Sequence, residues 1–188
     1  MGEDWPSWAT QKIEIHTWDA SWQQRATELI AALEPLLENW LEGPIEHVGS
    51  TAVPGLAAKP VIDLQAPVAP LVDSEKADQL LTEAGWHLVP PVLDQRPWRR
   101  LHVLADGHRR VAHLHLVHVD HPRRRETLHF RAQLRNQPAL AAQYEHLKRT
   151  AAREHGHERE AYTTRRQPSS VPSLPIRRDP GSGSHGRS

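Results

Sequence analysis

Three polar side chains occupy two short apolar segments of the chain. Asp63 lies within Pro-Val-Ile-Asp-Leu, and His113 and His115 lie within Val-Ala-His-Leu-His-Leu-Val. A carboxylate among apolar neighbours is unfavourable unless it is paired or bound to a metal. Two imidazoles separated by one residue of a strand lie on one face, where they can grip one divalent cation. The sequence therefore predicts a metal site that contains Asp63, His113 and His115.

His47, two residues before a glycine turn, is predicted as a further metal ligand. Other interpretations stay open for this set of residues. The chain has 14 histidines, so a His-x-His pair also arises by chance, and His47 would serve equally as a buried, hydrogen-bonded histidine. Asp63 would also be satisfied by an arginine partner, or by a strand end that faces solvent.

A turn of Gly49, Ser50 and Thr51 follows the strand that carries His47. The backbone N–H groups and hydroxyls of such a turn can hold an anion, although an ordinary turn at a strand end is the alternative. Lysine and arginine side chains nearby would neutralise phosphate or carboxylate oxygens. The predicted phosphate-binding residues are Gly49, Ser50, Thr51, Lys59, Arg99 and Arg100.

Residue 65 weakens the case for catalysis. Side chains alternate along a strand, so residue 65 points to the same face as Asp63. That residue is a glutamine, which can neither carry a negative charge nor act as a base. The segment therefore supplies one acid where a phosphate-and-metal site usually has two.

Hydrophobic periodicity and turn residues predict the elements that position these side chains. The first half is predicted to contain a strand at 12–18, a helix that begins at Asp19 or Ser21 and is ended or kinked by Pro35, strands at 45–48 and 61–66, a helix at 73–84 and a strand at 86–89. A loop that opens at 90–91 follows, then strands at 98–104 and 109–119 joined by an Asp-Gly turn, and helices at 124–135 and 138–154. This order predicts an α+β domain in which a mixed sheet carries helices mainly on one face.

Composition restricts the class of protein. The chain has 188 residues, no cysteine, and 23 basic against 23 acidic residues, which excludes a disulfide scaffold and gives no reason to expect nucleic-acid binding. No leader or membrane span is evident, so we expect a cytoplasmic protein with a small-molecule or nucleotide ligand. A homodimer stays open. Most of the central arginines are predicted to be solvated surface; they are Arg96, Arg99, Arg100, Arg109, Arg110, Arg123, Arg124 and Arg125.

The chain divides into a folded part and a tail. From about Thr164 the composition shifts to Arg, Pro, Ser and Gly. Such a segment cannot bury enough apolar surface to offset its ordering entropy. We predict one domain at residues 10–163 and a disordered tail at 164–188.

Three stretches together resemble the GrpB family. They are residues 45–63 (Ile-Glu-His-Val-Gly-Ser-Thr-Ala-Val-Pro-Gly-Leu-Ala-Ala-Lys-Pro-Val-Ile-Asp), residues 113–117 (His-Leu-His-Leu-Val), and a stretch from Leu128-His-Phe-Arg131 through Leu134-Arg135 and Pro138 to Glu160-Ala-Tyr162. The resemblance implies a fold similar to the nucleotidyltransferases related to polymerase β. It also implies that Gly49 and Ser50 match their triphosphate-binding turn, that Asp63 matches their first metal acid, and that Gln65 replaces the second.

Three functions are compatible with these residues. The first is a nucleotidyltransferase-like enzyme that binds a nucleoside triphosphate with Mg²⁺ or Mn²⁺, Zn²⁺ being the alternative. In this enzyme Asp63 is the catalytic residue, as a carboxylate that holds the metal. The second is a metal-dependent enzyme of another class that uses the histidines and Asp63. The third is a non-catalytic ligand-binding or interaction module on the same fold.

Overall fold

The computed structural model describes residue 8, residues 14–71 and residues 75–155. It confirms the predicted α+β class, with one five-stranded mixed sheet. The predicted tail lies outside the described residues. The elements in chain order are α1 (Ser21–Leu37), β1 (Glu46–Val48), a 3₁₀ turn (Ser50–Ala52), β2 (Ile62–Val68), α2 (Glu75–Glu83), β3 (Trp86–Leu88), α3 (Pro91–Asp94), β4 (Arg99–Asp106), β5 (Arg109–His118), α4 (Pro122–Asn136) and α5 (Pro138–His155).

The sheet has the strand order β1-β2-β5-β4-β3. Only the central β2–β5 pair is parallel, and the other three pairs are antiparallel. The β4–β5 hairpin turns at Gly107, whose φ of 55° lies in the left-handed region that glycine adopts without strain. This order brings the strand of Asp63 directly beside the strand of the two histidines, although 50 residues separate Asp63 from His113 in sequence.

One face of the sheet is covered by α1 and α2 and is apolar. Leu64 of β2 and Leu114 and Leu116 of β5 project from this helix-covered face into the main core. Trp22 of α1 and Leu81 of α2 meet them there. Because side chains alternate along a strand, the residues between these leucines must point to the opposite face.

The last two helices pack beside the sheet. Leu134 of α4 and Tyr144 of α5 enclose a second apolar cluster with Val53 and Leu56, which follow the 3₁₀ turn. Lys148 of α5 is buried and donates to the carbonyl of Ala57. The helices thereby hold the segment between β1 and β2 in place. No helix within the described ranges is both long and apolar enough to cross a bilayer.

Two predicted elements differ from the structure. Residues 14–18 form no strand and make a single bridge, between His16 and Ala58, so the described part of the first predicted strand is wrong. Ile15 packs instead near Ala151 of α5, which satisfies the apolar side of the alternation without a strand partner. The predicted loop at 90–91 contains the start of α3, where Pro91 takes the first helical position that suits proline.

Candidate metal and anion site

Four polar side chains lie together in the middle of the sheet, on the face opposite the helix-covered one. In the parallel β2–β5 pair, Asp63 is opposite His113 and Gln65 is opposite His115. Paired residues of adjacent strands point to the same side, so all four share one face. We call this surface, formed by Asp63, Gln65, His113 and His115, the polar face.

Asp63 contacts both histidines. Its Oδ1 lies 2.9 Å from His113 Nδ1 and 3.7 Å from His115 Nε2. One ligand atom from each of these three residues can be chosen so that all lie within 4.8 Å of one another. Ligands of a single Zn²⁺ or Mn²⁺ are closer, at most about 4.5 Å apart, so only small side-chain rotations separate this arrangement from a metal site.

The protonation states suit cation binding. Burial and, to a smaller extent, the charge of Arg99 lower the pKa of His115 to about 4, against the opposing effect of Asp63. Burial also lowers the pKa of His113, against the opposing effect of Asp63. Burial raises the pKa of Asp63, but hydrogen bonds from His113 and His115 outweigh it and hold this pKa well below its ordinary value. At neutral pH the site therefore presents one anion and two neutral imidazoles, the forms that bind metals.

Arg99 sets a condition on that binding. Its Nη1 lies 2.7 Å from His115 Nδ1, and because a guanidinium only donates, His115 Nδ1 must accept. Neutral His115 then carries its proton on Nε2, the atom that faces Asp63. A metal ion at Nε2 would require the proton to move to Nδ1 and the contact with Arg99 to break. The same condition applies to His113: an ionised Asp63 only accepts, so His113 Nδ1, which lies 2.9 Å from Asp63 Oδ1, carries the proton. Asp63 fits a metal as it stands, His113 fits once its proton moves to Nε2, and His115 fits once Arg99 moves away.

Asp94 holds Arg99 in this position, a role that the sequence did not indicate. Asp94 ends α3 and is only 7% exposed. Its two carboxylate oxygens accept from Arg99 Nε at 2.8 Å and from Nη2 at 2.5 Å. This fork-to-fork pair leaves Nη1 for His115. The sequence signal was weak because Asp94 falls within a predicted loop.

The predicted phosphate turn lies directly against Asp63. A Cβ built on Gly49 would come within 2.5 Å of Asp63 Oδ2. Gly49 also has φ 72° and ψ −168°, a conformation that side chains other than glycine rarely adopt. Gly49 is thus required both by its backbone and by its contact with the carboxylate. Ser50 follows it as the first residue of the 3₁₀ turn.

The structure corrects the prediction that Thr51 binds phosphate. Its hydroxyl lies 3.0 Å from His47 Nε2 and donates to the carbonyl of Val61 at 3.4 Å. Its own carbonyl accepts from Gln23 of α1. The hydroxyl is therefore buried and already hydrogen-bonded, so Thr51 stabilises the turn from within and does not offer its hydroxyl to an anion.

The structure also corrects the prediction that His47 is a metal ligand. It pairs with Leu64 across β1 and β2, whereas Val48 pairs with Asp63. His47 therefore points to the helix-covered face, away from the other ligands. Burial lowers its pKa to about 4, so it is neutral and bonds to Thr51. The alternative of a buried, hydrogen-bonded histidine describes it.

The prediction that Arg100 binds phosphate is corrected too, because Arg100 lies on the helix-covered face and cannot reach phosphate at this site. It pairs with Leu116 of the helix-covered face and donates to both carboxylate oxygens of Asp78 in α2. His102 contacts the same carboxylate, with Nε2 at 2.9 Å from Oδ1. Of the predicted arginine pair, only Arg99 reaches the polar face.

Two further cations act on the polar face. The charges of Arg110 and Lys59 both lower the pKa of His113, which places them within electrostatic reach of it. Arg110 is 6% exposed, so it is not among the central arginines that form solvated surface. The cause is a β-bulge: Leu104 pairs with Ala112 but Ala105 pairs with Arg110. The extra residue turns Arg110 towards the histidines, and sequence alternation does not reveal such a shift.

Two arginines of α4 fix the turn from the side. Arg131 donates to the carbonyl of His47 at 2.6 Å and to Glu46 at 2.8 Å. Arg135 donates twice to the carbonyl of Ala52, at 2.9 and 2.7 Å. These carbonyls flank the segment at 48–51, so α4 clamps both ends of the predicted phosphate turn. Both arginines belong to the third stretch that carries the family resemblance.

Comparison with known proteins gives one consistent family. The family model described as GrpB protein matches residues 12–171. UPF0157 protein PA4798 of Pseudomonas aeruginosa is 36% identical over 166 residues, which are 86% of this chain and 66% of that protein. UPF0157 protein YqkA of Bacillus subtilis is 28% identical over 77% of this chain and 41% of its own length. The chain thus spans less than two thirds of these two relatives.

Two further proteins match over most of their length. Glutamate-rich protein GrpB of Alkalihalophilus pseudofirmus is 28% identical over 83% of this chain and 90% of that protein. The crystal structure of conserved protein GrpB from Enterococcus faecalis superposes with a TM-score of 0.72 at 27% identity. That superposition covers 80% of this chain and 90% of the other.

Proposed function

Since the chain belongs to the GrpB family, we propose that it is a nucleotidyltransferase-like enzyme that binds a nucleoside triphosphate and a divalent metal ion on the polar face. The ion in this proposal is Mg²⁺ or Mn²⁺, with Zn²⁺ as the alternative, and the nucleotide is its substrate. A cytoplasmic location and a small-molecule or nucleotide ligand belong to the same proposal, which names no acceptor.

One observation carries the proposal: the carboxylate and the phosphate turn are in contact. Gly49 packs on Asp63 Oδ2, while Oδ1 of the same carboxylate faces His113 and His115. A triphosphate at the turn would therefore lie next to a cation held by Asp63. That adjacency is what phosphoryl and nucleotidyl transfer require, because these reactions depend mainly on positioning and neutralisation of charge.

Each residue near the site has a role in this proposal. Asp63, His113 and His115 would hold the metal ion, which supplies Lewis-acid polarisation of the phosphate oxygens. Gly49 and Ser50 would place backbone N–H groups against the phosphates. Lys59 and Arg110 add positive charge beside His113.

Arg99 completes the proposed arrangement. It is bound to His115 and would be released when His115 binds the metal, because the imidazole nitrogen that accepts from Arg99 then carries a proton. Its Nη1 would then be free to donate to a phosphate oxygen, while Nε and Nη2 stay bound to Asp94. Arg99 thus links occupancy of the metal position to recognition of the anion.

Calorimetry with the full chain tests the proposal. ATP, GTP, CTP and UTP are titrated in Mg²⁺ or Mn²⁺, with Asp63→Asn as the test variant and Asp120→Asn, which changes an exposed aspartate, as the control. We expect the metal-dependent affinity to fall about 100-fold or more in Asp63→Asn and to stay unchanged in the control. Lack of binding by all four nucleotides to the wild-type chain would reject the proposal.

A metal-dependent enzyme of another class is the second candidate. It is favoured by the donor set, because two imidazoles and a single carboxylate suit Zn²⁺, Mn²⁺ or Fe²⁺ at least as well as Mg²⁺. Metal analysis of protein purified without a histidine tag separates the cases. A stoichiometric transition metal that is lost in His115→Ala, together with no affinity for nucleotides, would support this candidate over the first.

The third candidate is a non-catalytic ligand-binding or interaction module. It is favoured by Gln65, which stands on the polar face opposite His115 where a second acid would be expected. Such a module binds its ligand without turning it over. Tight nucleotide binding with no pyrophosphate released in the presence of a panel of amine, hydroxyl and carboxylate acceptors would favour it.

A further inference from the structure

Gln65 is the most deeply buried member of the polar face. Its side chain is 3% exposed, and its Oε1 has no hydrogen-bond partner. Among the residues that the structure describes, this is the single buried side-chain oxygen without one. An unpaired buried amide oxygen carries a desolvation penalty, so its presence calls for a physical explanation.

The cross-strand neighbours do not satisfy this oxygen. Gln65 is opposite Glu46 on one side and His115 on the other. The Glu46 carboxylate only accepts hydrogen bonds and is already paired with Arg131. The His115 ring has one nitrogen directed to Arg99 and the other towards Asp63. The polar side chains around Gln65 therefore bond to one another and to arginines, and none of them donates to its Oε1.

Packing alone does not explain a glutamine at this position. Leucine has nearly the same volume, suits a central strand and would bury no unpaired polar atom. Ring nitrogens of His47, His102 and His113 are also buried without partners, but one idle nitrogen is common for a neutral imidazole that makes one bond. A buried amide oxygen is normally hydrogen-bonded, so a ligand-binding role explains the unpaired oxygen of Gln65 better than packing does.

We propose that Gln65 Oε1 is a fourth side-chain ligand of the cation held by Asp63, His113 and His115. This inference rests on the proposed function of the same site and deepens it by naming the class of metal. The donor set is then one carboxylate oxygen, one amide oxygen and two imidazole nitrogens, with a single negative charge. Mg²⁺ prefers oxygen donors and carboxylates, whereas nitrogen donors favour first-row transition ions. The site selects Mn²⁺, Co²⁺ or Zn²⁺ over Mg²⁺.

Metal titration of two variants tests this ligand. Gln65→Leu removes the oxygen at similar volume, and Gln65→Glu adds a second acid at the same position. Gln143→Leu, at an exposed position of α5, is the control. Co²⁺ reports coordination through its visible absorption bands, and Mn²⁺ and Mg²⁺ affinities are measured by calorimetry on the full chain without nucleotide.

The expected results differ between the variants. Gln65→Leu lowers Co²⁺ and Mn²⁺ affinity at least about tenfold and alters the Co²⁺ spectrum. Gln65→Glu raises Mg²⁺ affinity more than Mn²⁺ affinity, so the preference for Mn²⁺ narrows. In EDTA, Gln65→Leu melts at or above the wild-type temperature, because the variant loses only an unsatisfied group. The control matches the wild type in every measurement.

These measurements distinguish failure of the metal site from failure of the proposed role of Gln65. Wild-type protein that binds none of the three ions would reject the metal site itself, and with it the proposed function. Wild-type binding that Gln65→Leu leaves unchanged in affinity and spectrum would overturn only the role of Gln65. A lower melting temperature of Gln65→Leu in EDTA with intact metal binding would assign Gln65 to structure. If Gln65→Leu does not fold, the Mg²⁺ to Mn²⁺ ratio of the isosteric Gln65→Glu decides the question.

Discussion

Each side of the sheet has an aspartate that contacts histidine, but the negative charges of the two carboxylates are balanced in different ways. On the helix-covered face, Asp78 receives Arg100 and His102 directly, and the three residues tie α2 to β4. On the polar face, Asp63 touches two histidines whose pKa values are lowered, so its charge is not cancelled by a direct ion pair with either of them.

The difference shows how the same residue types serve structure or ligand binding. Burial raises the pKa of Asp78, but the hydrogen bonds from His102 and Arg100 outweigh this effect and lower the pKa. Asp78 is therefore a structural ion-pair partner of these two residues. Three cations lie near the polar face: Arg99 is bound to Asp94, and the charges of Lys59 and Arg110 act on His113. A negative charge with cations nearby suits a metal ion together with an anion.

Removing each aspartate should give the largest contrast. Asp78→Asn leaves Arg100 and His102 without their anionic partner, and we expect it to lower the free energy of unfolding by about 3 kcal/mol. Asp63→Asn keeps an acceptor for two neutral imidazoles, so we expect a loss of about 1 kcal/mol or less. Urea unfolding at pH 7 in EDTA measures both. Equal losses would remove the distinction between the faces.

Acidification should destabilise the protein through histidines on both faces. The pKa of His47 is about 4 in the folded chain and ordinary in the unfolded chain, so the unfolded state binds more protons between about pH 6.5 and 4. Stability therefore falls as the pH is lowered through that range, by roughly 3 kcal/mol for a shift of this size. His115 has a similarly low pKa and acts in the same direction.

Urea midpoints at several pH values between 7 and 4 measure this dependence. His47→Gln should flatten it, whereas His108→Gln in the exposed hairpin turn should not. Saturating Mn²⁺ should steepen the dependence in the wild type and in His47→Gln but not in His115→Gln, because His115 belongs to the proposed metal site and His47 does not. A Mn²⁺ effect that survives in His115→Gln would contradict the assignment of the faces.

Substitution of glycine should separate backbone strain from contact with Asp63. Gly49 and Gly55 have similar positive φ values of 72° and 79°, but an added Cβ would meet Asp63 only at Gly49 and nothing within 4 Å at Gly55. We expect Gly49→Ala to cost about 2 kcal/mol of stability and Gly55→Ala about 1 kcal/mol. Only Gly49→Ala should also weaken metal binding, which calorimetry detects.

The two adjacent arginines should give the smallest and most specific contrast. Arg99→Met removes the donor that competes with a metal ion for His115, so we expect metal affinity to rise up to about tenfold. Arg100→Met should leave metal affinity unchanged, because Arg100 binds Asp78 on the other face. Both variants lose a salt bridge and should be destabilised. Unchanged metal affinity in Arg99→Met would exclude competition for His115.

Local sequence pattern was sufficient for most elements and for three residues of the site. Alternation along a strand predicted that His113 and His115 share a face and that Asp63 and Gln65 share a face, since the side-chain direction depends only on the strand itself. Helix spacing and the Asp-Gly turn predicted the helices and the hairpin in the same way. The first strand failed because a strand also needs a partner, which residues 14–18 lack beyond one bridge.

The sequence by itself determined the α+β order of most elements and supplied candidate residues for a metal or an anion, because both depend on residue type and local periodicity. Only the tertiary structure decided which candidates meet. The antiparallel register of β1 turned His47 away, and the register of β4 put Arg99 rather than Arg100 on the face of the histidines. A bulge brought Arg110 in, and the parallel β2–β5 pairing joined Asp63 to the histidines. Strand pairing and register are long-range properties, so no local pattern specifies them.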